Sequence, residues 1–350
     1  MPNARLPVPG RQGYRWPAEW APHEATWLAW PKNRTTWPSR LEEATEAWAA
    51  MAGALAPGER VEILADDAAM ESAARNFLTS RGISLSNVRF HRVPTDDAWM
   101  RDSGPIFIAA SSATGIALTC WKFNGWGEKK ACGQDTYVPG AIRNILGLPA
   151  FAPTFVLEGG SIDGDGEGTL LTSEQCLLHP NRGANRAKPD VERTLMDFLG
   201  VSKVLWMGNG IAGDDTDGHV DDFARFVAPG VVVACEEKDP DDENHAPLKD
   251  NLERLRKATD AAGRLLQVVP IPMPPPLLSD AGVRLPASHA NFYVGNAAVL
   301  VPFFGGPTDA IALGILRPLF PGRRIVGIDC RALVIGGGAI HCVTQQQPAG

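Results

Sequence analysis

The chain reads as a single α/β domain. Two observations predict it. Apolar residues switch repeatedly between the two-residue period of strands and the three- and four-residue period of helices. No Ser/Gly-rich tract interrupts that alternation, and 350 residues suffice for one large core. Residues 1–350 are therefore expected to form one domain, with roughly five helices each set among short strands.

The elements follow in order. A Gly-, Pro- and Trp-rich loop over 10–20 precedes a strand at 25–31. Ser39 and Glu42 have the spacing of a capping box, and Leu41, Ala44, Trp48, Met51 and Leu55 repeat at helical spacing until Pro57-Gly58 stops them. A strand at 60–65, a helix at 67–79 and strands near 88–93, 105–109 and 115–123 come next, then a short helix at 141–146. Strands at 154–157 and 169–172 flank a Gly-rich turn, and Pro189 opens a helix that Gly200 ends. Strands follow at 203–207, 223–227 and 231–235. Leu248, Leu252, Leu255 and Thr259 mark a helix with Gly263 past its end. The Pro-rich 270–276 piece is expected as an extended surface connection, because proline donates no ladder hydrogen bond. Strands at 291–294 and 298–301, a helix at 308–319 and a strand at 324–328 complete the alternation.

Charge and cysteines narrow the function. A net charge of -7 argues against nucleic acid or an anionic membrane as partner. Six cysteines without any C-x-x-C spacing fit reduced thiols better than disulfides or a zinc site. The start of the chain shows no signal-like apolar run and no segment reaches membrane-spanning length, so a cytoplasmic location is expected.

Several stretches carry candidate chemistry. Gly336-Gly337-Gly338 allows close approach of the backbone to a ligand and leads to His341-Cys342. Cys342 is either a nucleophile, active once its thiolate forms, or a buried strand residue that fills space. Asp97-Ala98-Trp99-Met100-Arg101-Asp102 sets two carboxylates, an arginine and a tryptophan before a strand, either as a site or as a solvated turn. Glu158-Gly159-Gly160 follows an apolar run. Gly213 to Asp222 is the densest cluster, holding Asp214, Asp215, Asp217, His219, Asp221 and Asp222. On a strand His219 and Asp221 would share a face, suited to proton transfer, metal binding or plain solvation. The 163–174 stretch nearly matches a calcium-binding loop, but its flanks read as strands, so it is expected to be a hairpin turn. The 236–243 acidic run is expected to be a solvated loop.

One chemistry uses all of these pieces. Converging carboxylates bind a planar guanidinium, a thiolate attacks its central carbon, and a histidine protonates the departing ammonia and later activates water. The chain resembles the agmatine deiminase family, which also holds bacterial-type peptidyl-arginine deiminases. The resemblance is carried by Arg15 to Trp20, Trp27 to Pro31, Asp97 to Asp102, Phe123 to Gly127, Glu158 to Ile162, Thr216 to Asp221 and Gly336 to Pro348. It implies a pentein fold, a five-bladed pseudo-symmetric α/β propeller of ββαβ units around a central active site. It implies Cys342 as nucleophile, His219 as general acid and base, and Glu158 orienting the histidine or the substrate. Asp102 and Asp221 would clamp the guanidinium, Trp99 would border it, and Asp215 and Gly338 would belong to the substrate-binding wall. No metal and no cofactor are expected. The partner is a small cationic guanidine, agmatine, and a homo-oligomer is left open. Asp222 departs from the asparagine that the resemblance leads one to expect there. Peptidyl-arginine deiminase, amidinotransferase, metal-dependent hydrolase and polyamine-binding protein are the rival readings. A Trp-rich N-terminal loop and the 129–136 loop are expected to close the mouth, with Asp214, Asp215, Asp217 and Asp222 repelling a substrate carboxylate.

Overall fold

A computed structural model describes residues 8–110, 115–184 and 186–350. Among them the strands form five separate sheets, three of three strands and two of four. One motif recurs in all five. A first strand pairs antiparallel with a second, a helix follows, and a third strand pairs parallel with the second.

The second sheet in sequence pairs Ile106–Ala110, Ile116–Thr119 and Ala150–Phe151, with the helix Val138–Leu146 as crossover. The next uses Ile162–Gly164, Thr169–Ser173 and Lys203–Met207 with the helix Lys188–Leu199. The fourth uses Ala224–Ala228, Val231–Glu236 and Gln267–Pro272 with His245–Lys257. The fifth uses Tyr293–Val294, Ala298–Phe303 and Arg324–Asp329 with Thr308–Leu316. The remaining sheet takes its first strand, Gln345–Pro348, from the far end of the chain. That strand pairs with His23–Ala29, which runs parallel to Arg60–Ala65 across the helix Leu41–Leu55, and Val88–Arg92 adds a fourth strand.

Patterning explains the layers. Five of the six residues of Arg60–Ala65 are buried, as expected of a parallel strand covered on both faces. The helix Leu41–Leu55 buries Leu41, Ala44, Trp48, Met51 and Leu55 against it. A kink-free stop at Gly200 (φ +67°) ends Lys188–Leu199.

Four sequence expectations change. Ser39 does not cap a helix: its own φ is +58°, Arg40 holds the N-cap place without a side-chain bond, and Glu42 pairs instead with Arg34 at 2.7 Å. The stretch 154–157 contributes only an isolated bridge from Val156 to Lys122, and the hairpin partner of Thr169–Ser173 is Ile162–Gly164. The hairpin reading of the calcium-like loop holds, with Asp165 Oδ1 accepting the backbone N–H groups of Glu167 and Thr169 at 2.8 Å. Pro270 and Pro272 do lie in a strand. It is the outer strand of its sheet, where missing N–H donors leave no ladder unpaired. Gly263 lies beyond a helix that already ends at Lys257 with Ala258 extended, so it is not its cap.

A second regularity positions the chemistry. The residues just before the first strand of each unit form a short turn: Met100–Ser103, Gly159–Ser161, Val220–Asp222, the segment ending at Asn291, and His341–Val343. The helical turns among them touch one another. His219 and Asp221 therefore leave a 3₁₀ turn rather than a strand, and Cys342 also stands on a 3₁₀ turn, ahead of the final strand.

Candidate active site

Cys342 is 7% exposed and opens onto a cavity of about 500 Å³. Among the described residues it is the one cysteine in that wall. Asn291 Nδ2 lies 3.2 Å from its sulfur, and Asp221 Oδ2 lies 3.9 Å away. Burial, followed by the carboxylates of Asp221, Asp222 and Asp102, pushes the thiol well above its ordinary pKa. The side chain of Cys342 is thus held as the protonated thiol. A cation brought among those carboxylates removes much of the penalty on the thiolate.

Asp102 and Asp221 approach the same point from two turns. Trp126 Nε1 donates to Asp102 Oδ2 at 2.8 Å, and the N–H of Gly160 donates to Oδ1 at 2.9 Å. Trp126 pays for this reach with a left-handed backbone (φ +55°) inside the short Gly125–Glu128 turn. Burial, opposed by the Trp126 bond and reinforced by Glu158, raises Asp102 to about 7. Asp221 lies 2.6 Å from His341 Nδ1 through Oδ2, while its buried Oδ1 takes no hydrogen bond from the described residues. Burial and then Asp102 push it well above the usual carboxylate range.

His219 Nδ1 lies 3.8 Å from Asp102 and 4.0 Å from Asp221. Its Nε2 and Glu158 Oε2 are buried without hydrogen-bond partners among the described residues. Burial, then Arg182, drives His219 well below the usual histidine pKa, so the ring is neutral. Arg182 escaped the sequence reading. Its Nε donates to Glu158 Oε1 at 2.9 Å, Nη2 donates to the Thr216 carbonyl at 2.7 Å, and Nη1 pairs with Asp217. One buried guanidinium therefore fixes both the glutamate and the loop that carries His219. Its only sequence signal is an arginine after Pro180-Asn181, which has no distinctive spacing.

Gly160 is where these groups meet. A Cβ there would lie 2.6 Å from His219 Nδ1, 2.9 Å from Asp102 Oδ1 and 3.0 Å from Asp221 Oδ2. Gly160→Ala is expected to keep the fold yet lower kcat/KM more than about a hundredfold, because the methyl displaces three side chains of the candidate site at once. Steady-state kinetics beside circular dichroism check this. Gly338 likewise backs onto Trp99 and Cys342, at 2.8 and 2.9 Å from a would-be Cβ.

Asn291 is a second residue that the sequence did not reveal. Its Oδ1 accepts the N–H of His341 at 2.9 Å, and its Nδ2 donates to Asp222 Oδ1 at 3.0 Å as well as facing the sulfur. Asp222 is buried behind Cys342. Burial, then Asp221, Asp214 and Asp102, pushes it well up, which favours the neutral acid. The departure from asparagine therefore adds little charge.

The mouth differs from expectation. Asp214 is spent on the backbone of Thr216, Gly218 and His219, and Asp217 on Arg182, Asn181 and Lys129. Asp215 is exposed and pairs with Lys130 at 3.7 Å, outside the cavity wall. The acids in the outer wall are Asp96, Asp97 and Asp135, and burial raises Asp135 to about 7. Lys130, Ala131 and Asp135 place the 129–136 loop at the mouth. The other wall comes from Asn33 to Pro38 rather than from the Trp-rich 10–20 loop. Two buried trios have donor atoms within 4.8 Å of one another, Glu158/Cys176/His219 and Asp221/Asp222/Cys342. All but Cys176 belong to the arrangement just described.

A thiol, a neutral imidazole and several buried carboxylates thus converge beside one cavity. The chain belongs to the Porphyromonas-type peptidyl-arginine deiminase family, whose pattern matches residues 15–348. It is 38% identical over 368 residues to an agmatine deiminase of Pseudomonas aeruginosa, covering 98% of this chain and 97% of that one. Among solved structures it resembles the agmatine deiminase of Enterococcus faecalis (TM-score 0.89, 33% identity, 98% of each chain). It also resembles a C. jejuni agmatine deiminase with substrate bound (TM-score 0.87, 31% identity, 96% of this chain and 97% of that one).

Proposed function

We propose that this chain hydrolyses agmatine to N-carbamoylputrescine and ammonia through a covalent adduct on Cys342. The observation that carries the reading is the pair of buried carboxylate oxygens, Glu158 Oε2 beside His219 and Asp221 Oδ1, that take no donor from the described residues, with Asp221 lying 3.9 Å from the Cys342 sulfur through Oδ2. A guanidinium offers five N–H donors in one plane, which matches such acceptors.

Asp102 and Asp221 hold the cation, Glu158 takes a further N–H, and Trp99 borders it. The bound charge offsets the carboxylates around Cys342, so that with substrate in place the thiol passes its proton to the neutral His219 and becomes the thiolate. Sulfur attacks the guanidinium carbon, the C–N bond breaks, and His219 supplies the proton with which ammonia leaves. His219 then takes a proton from water, whose oxygen bonds to the carbon as the C–S bond breaks. In this reading 1–350 is one catalytic domain, and the five ββαβ units close as blades of a propeller around the five turns. The pairing of Gln345–Pro348 with His23–Ala29 supports that closure.

The acid limb of the pH profile follows from Asp102. With its pKa raised to about 7, it is protonated at lower pH, and a neutral acid does not pair with guanidinium. kcat/KM is therefore expected to fall as pH drops below about 7, and a pH series of kcat/KM checks the sign.

Selectivity comes from the outer wall. Agmatine ends in an ammonium, which suits Asp96, Asp97 and Asp135, whereas an arginine carboxylate there is repelled. Arginine is expected to be at least about a hundredfold poorer in kcat/KM, or ~3 kcal/mol. Ammonia release from agmatine, arginine and a peptide with an internal arginine tests the whole reading. Efficient peptide conversion with slow agmatine turnover would replace it with the peptidyl-arginine reading.

A further inference from the structure

His341, beside the nucleophile, has no part in the steps above, yet its ring is almost wholly buried and bonded at both nitrogens. Nδ1 lies 2.6 Å from Asp221 Oδ2, and Nε2 lies 2.8 Å from Glu19 Oε2. Glu19 is anchored in turn by Arg225 Nη2 at 2.9 Å, Arg101 Nη2 at 3.2 Å and the N–H of Val294 at 2.8 Å. Two hydrogen bonds among three titratable groups need two protons. Either an imidazolium lies between two carboxylates, or a neutral imidazole donates to Glu19 and accepts from a protonated Asp221. The net charge is the same in both, and only the proton between Asp221 and His341 differs.

We propose that His341 is a positioning residue that takes the proton of Asp221 when a guanidinium binds, so that Asp221 becomes a charged clamp without releasing a proton to solvent. The O–H bond on Asp221 Oδ2 breaks and the N–H bond on His341 Nδ1 forms along one short hydrogen bond. The inference rests on the guanidinium reading above.

The surroundings favour each end of the transfer in turn. In the empty site Asp221 faces Asp102, Asp214, Asp222, His219 and Cys342, with Arg225 and Arg101 opposing the acids. Burial and those acids push its pKa well up. Burial, Arg101 and Arg225 push His341 well down, against the pull of Glu19. The proton therefore rests on Asp221. Glu19, despite burial, is held well below the usual range by Arg225, His341 and Arg101, so it stays ionised as a counterion for the imidazolium to come. A guanidinium beside Asp221 Oδ1 reverses the first balance, because it favours the carboxylate directly.

The test counts protons. In a Cys342→Ser background, which binds without turnover, agmatine is titrated calorimetrically in buffers of different protonation enthalpy. Adding His341→Gln is expected to release about one more proton per agmatine than the background alone, since the proton of Asp221 then has no acceptor. Contributions from Asp102 are common to both proteins and cancel. Equal counts with binding retained overturn the relay alone. No agmatine binding by the background protein overturns the functional reading and the relay with it. Should His341→Gln fail to fold, the imidazole nitrogen NMR signals of His341 in the background protein decide. A move from neutral to imidazolium values on adding agmatine supports the transfer, and unchanged neutral values overturn it.

Discussion

Cys342→Ser is expected to lower agmatine turnover more than about a thousandfold while leaving the fold and substrate binding in place. A serine hydroxyl is far harder to ionise than a thiol, and Asp221, Asp222 and Asp102 already work against an anion at this position. Steric change is small, because the side chain sits on a short 3₁₀ turn whose backbone is held by Asn291. Cys235 and Cys330 are buried away from the cavity wall, and Cys176, though its sulfur lies beside Glu158 and His219, does not line the cavity either, so none of them is placed to substitute for it. Kinetics together with agmatine binding to the serine variant check this, and a variant that kept a tenth of the wild-type rate would remove Cys342 from the mechanism.

Asp102→Asn and Asp221→Asn are each expected to cost more than about a hundredfold in kcat/KM, or on the order of 3 kcal/mol. Both substitutions keep the shape and remove the charge. Asparagine at 102 must also set an amide N–H against one of the donors Trp126 Nε1 and Gly160 N, or against the substrate. At 221 the amide keeps only one oxygen, so an N–H replaces either the oxygen that faces His341 or the buried one that has no partner among the described residues. Either variant retaining more than about a tenth of wild-type kcat/KM is not a clamp.

The alternation of periods made the α/β class and most strands and helices legible, because apolar spacing follows burial directly. The helices Ala68–Ser80, with Asp67 accepting the Met70 N–H at 2.8 Å, and Lys188–Leu199 lie within one or two residues of their predicted ends. What failed was local chemistry decided by tertiary position. Pro270 and Pro272 are tolerable only on an outer strand, and nothing in their own sequence says which strand is outer. Ser39 has cap-like spacing, but the chain bends through a positive φ there instead.

For the site, the motifs supplied Cys342, His219, Glu158, Asp102, Asp221 and Trp99, and the structure brings them together through the turns that precede successive first strands. Arg182 and Asn291 were not legible, since each is a single polar residue whose meaning lies in partners 24 and 51 positions away. The acids assigned to the mouth were misplaced for a similar reason. Asp214 and Asp217 stand in the densest acidic cluster but satisfy nearby backbone and cations, whereas Asp96 and Asp135 reach the cavity from two loops that sequence proximity does not connect. Glu19 and His341 lay inside quoted motifs, and only their pairing across the whole chain gives them a role.

The most direct test of the central claim is to mix wild-type protein with agmatine, quench in acid within a turnover and map the modified peptide by mass spectrometry. The account predicts a mass gain equal to agmatine less ammonia, confined to Cys342 among the six cysteines and absent from Cys342→Ser. Ammonia released at full rate with no adduct at any point of the time course, or an adduct on another residue, would contradict it.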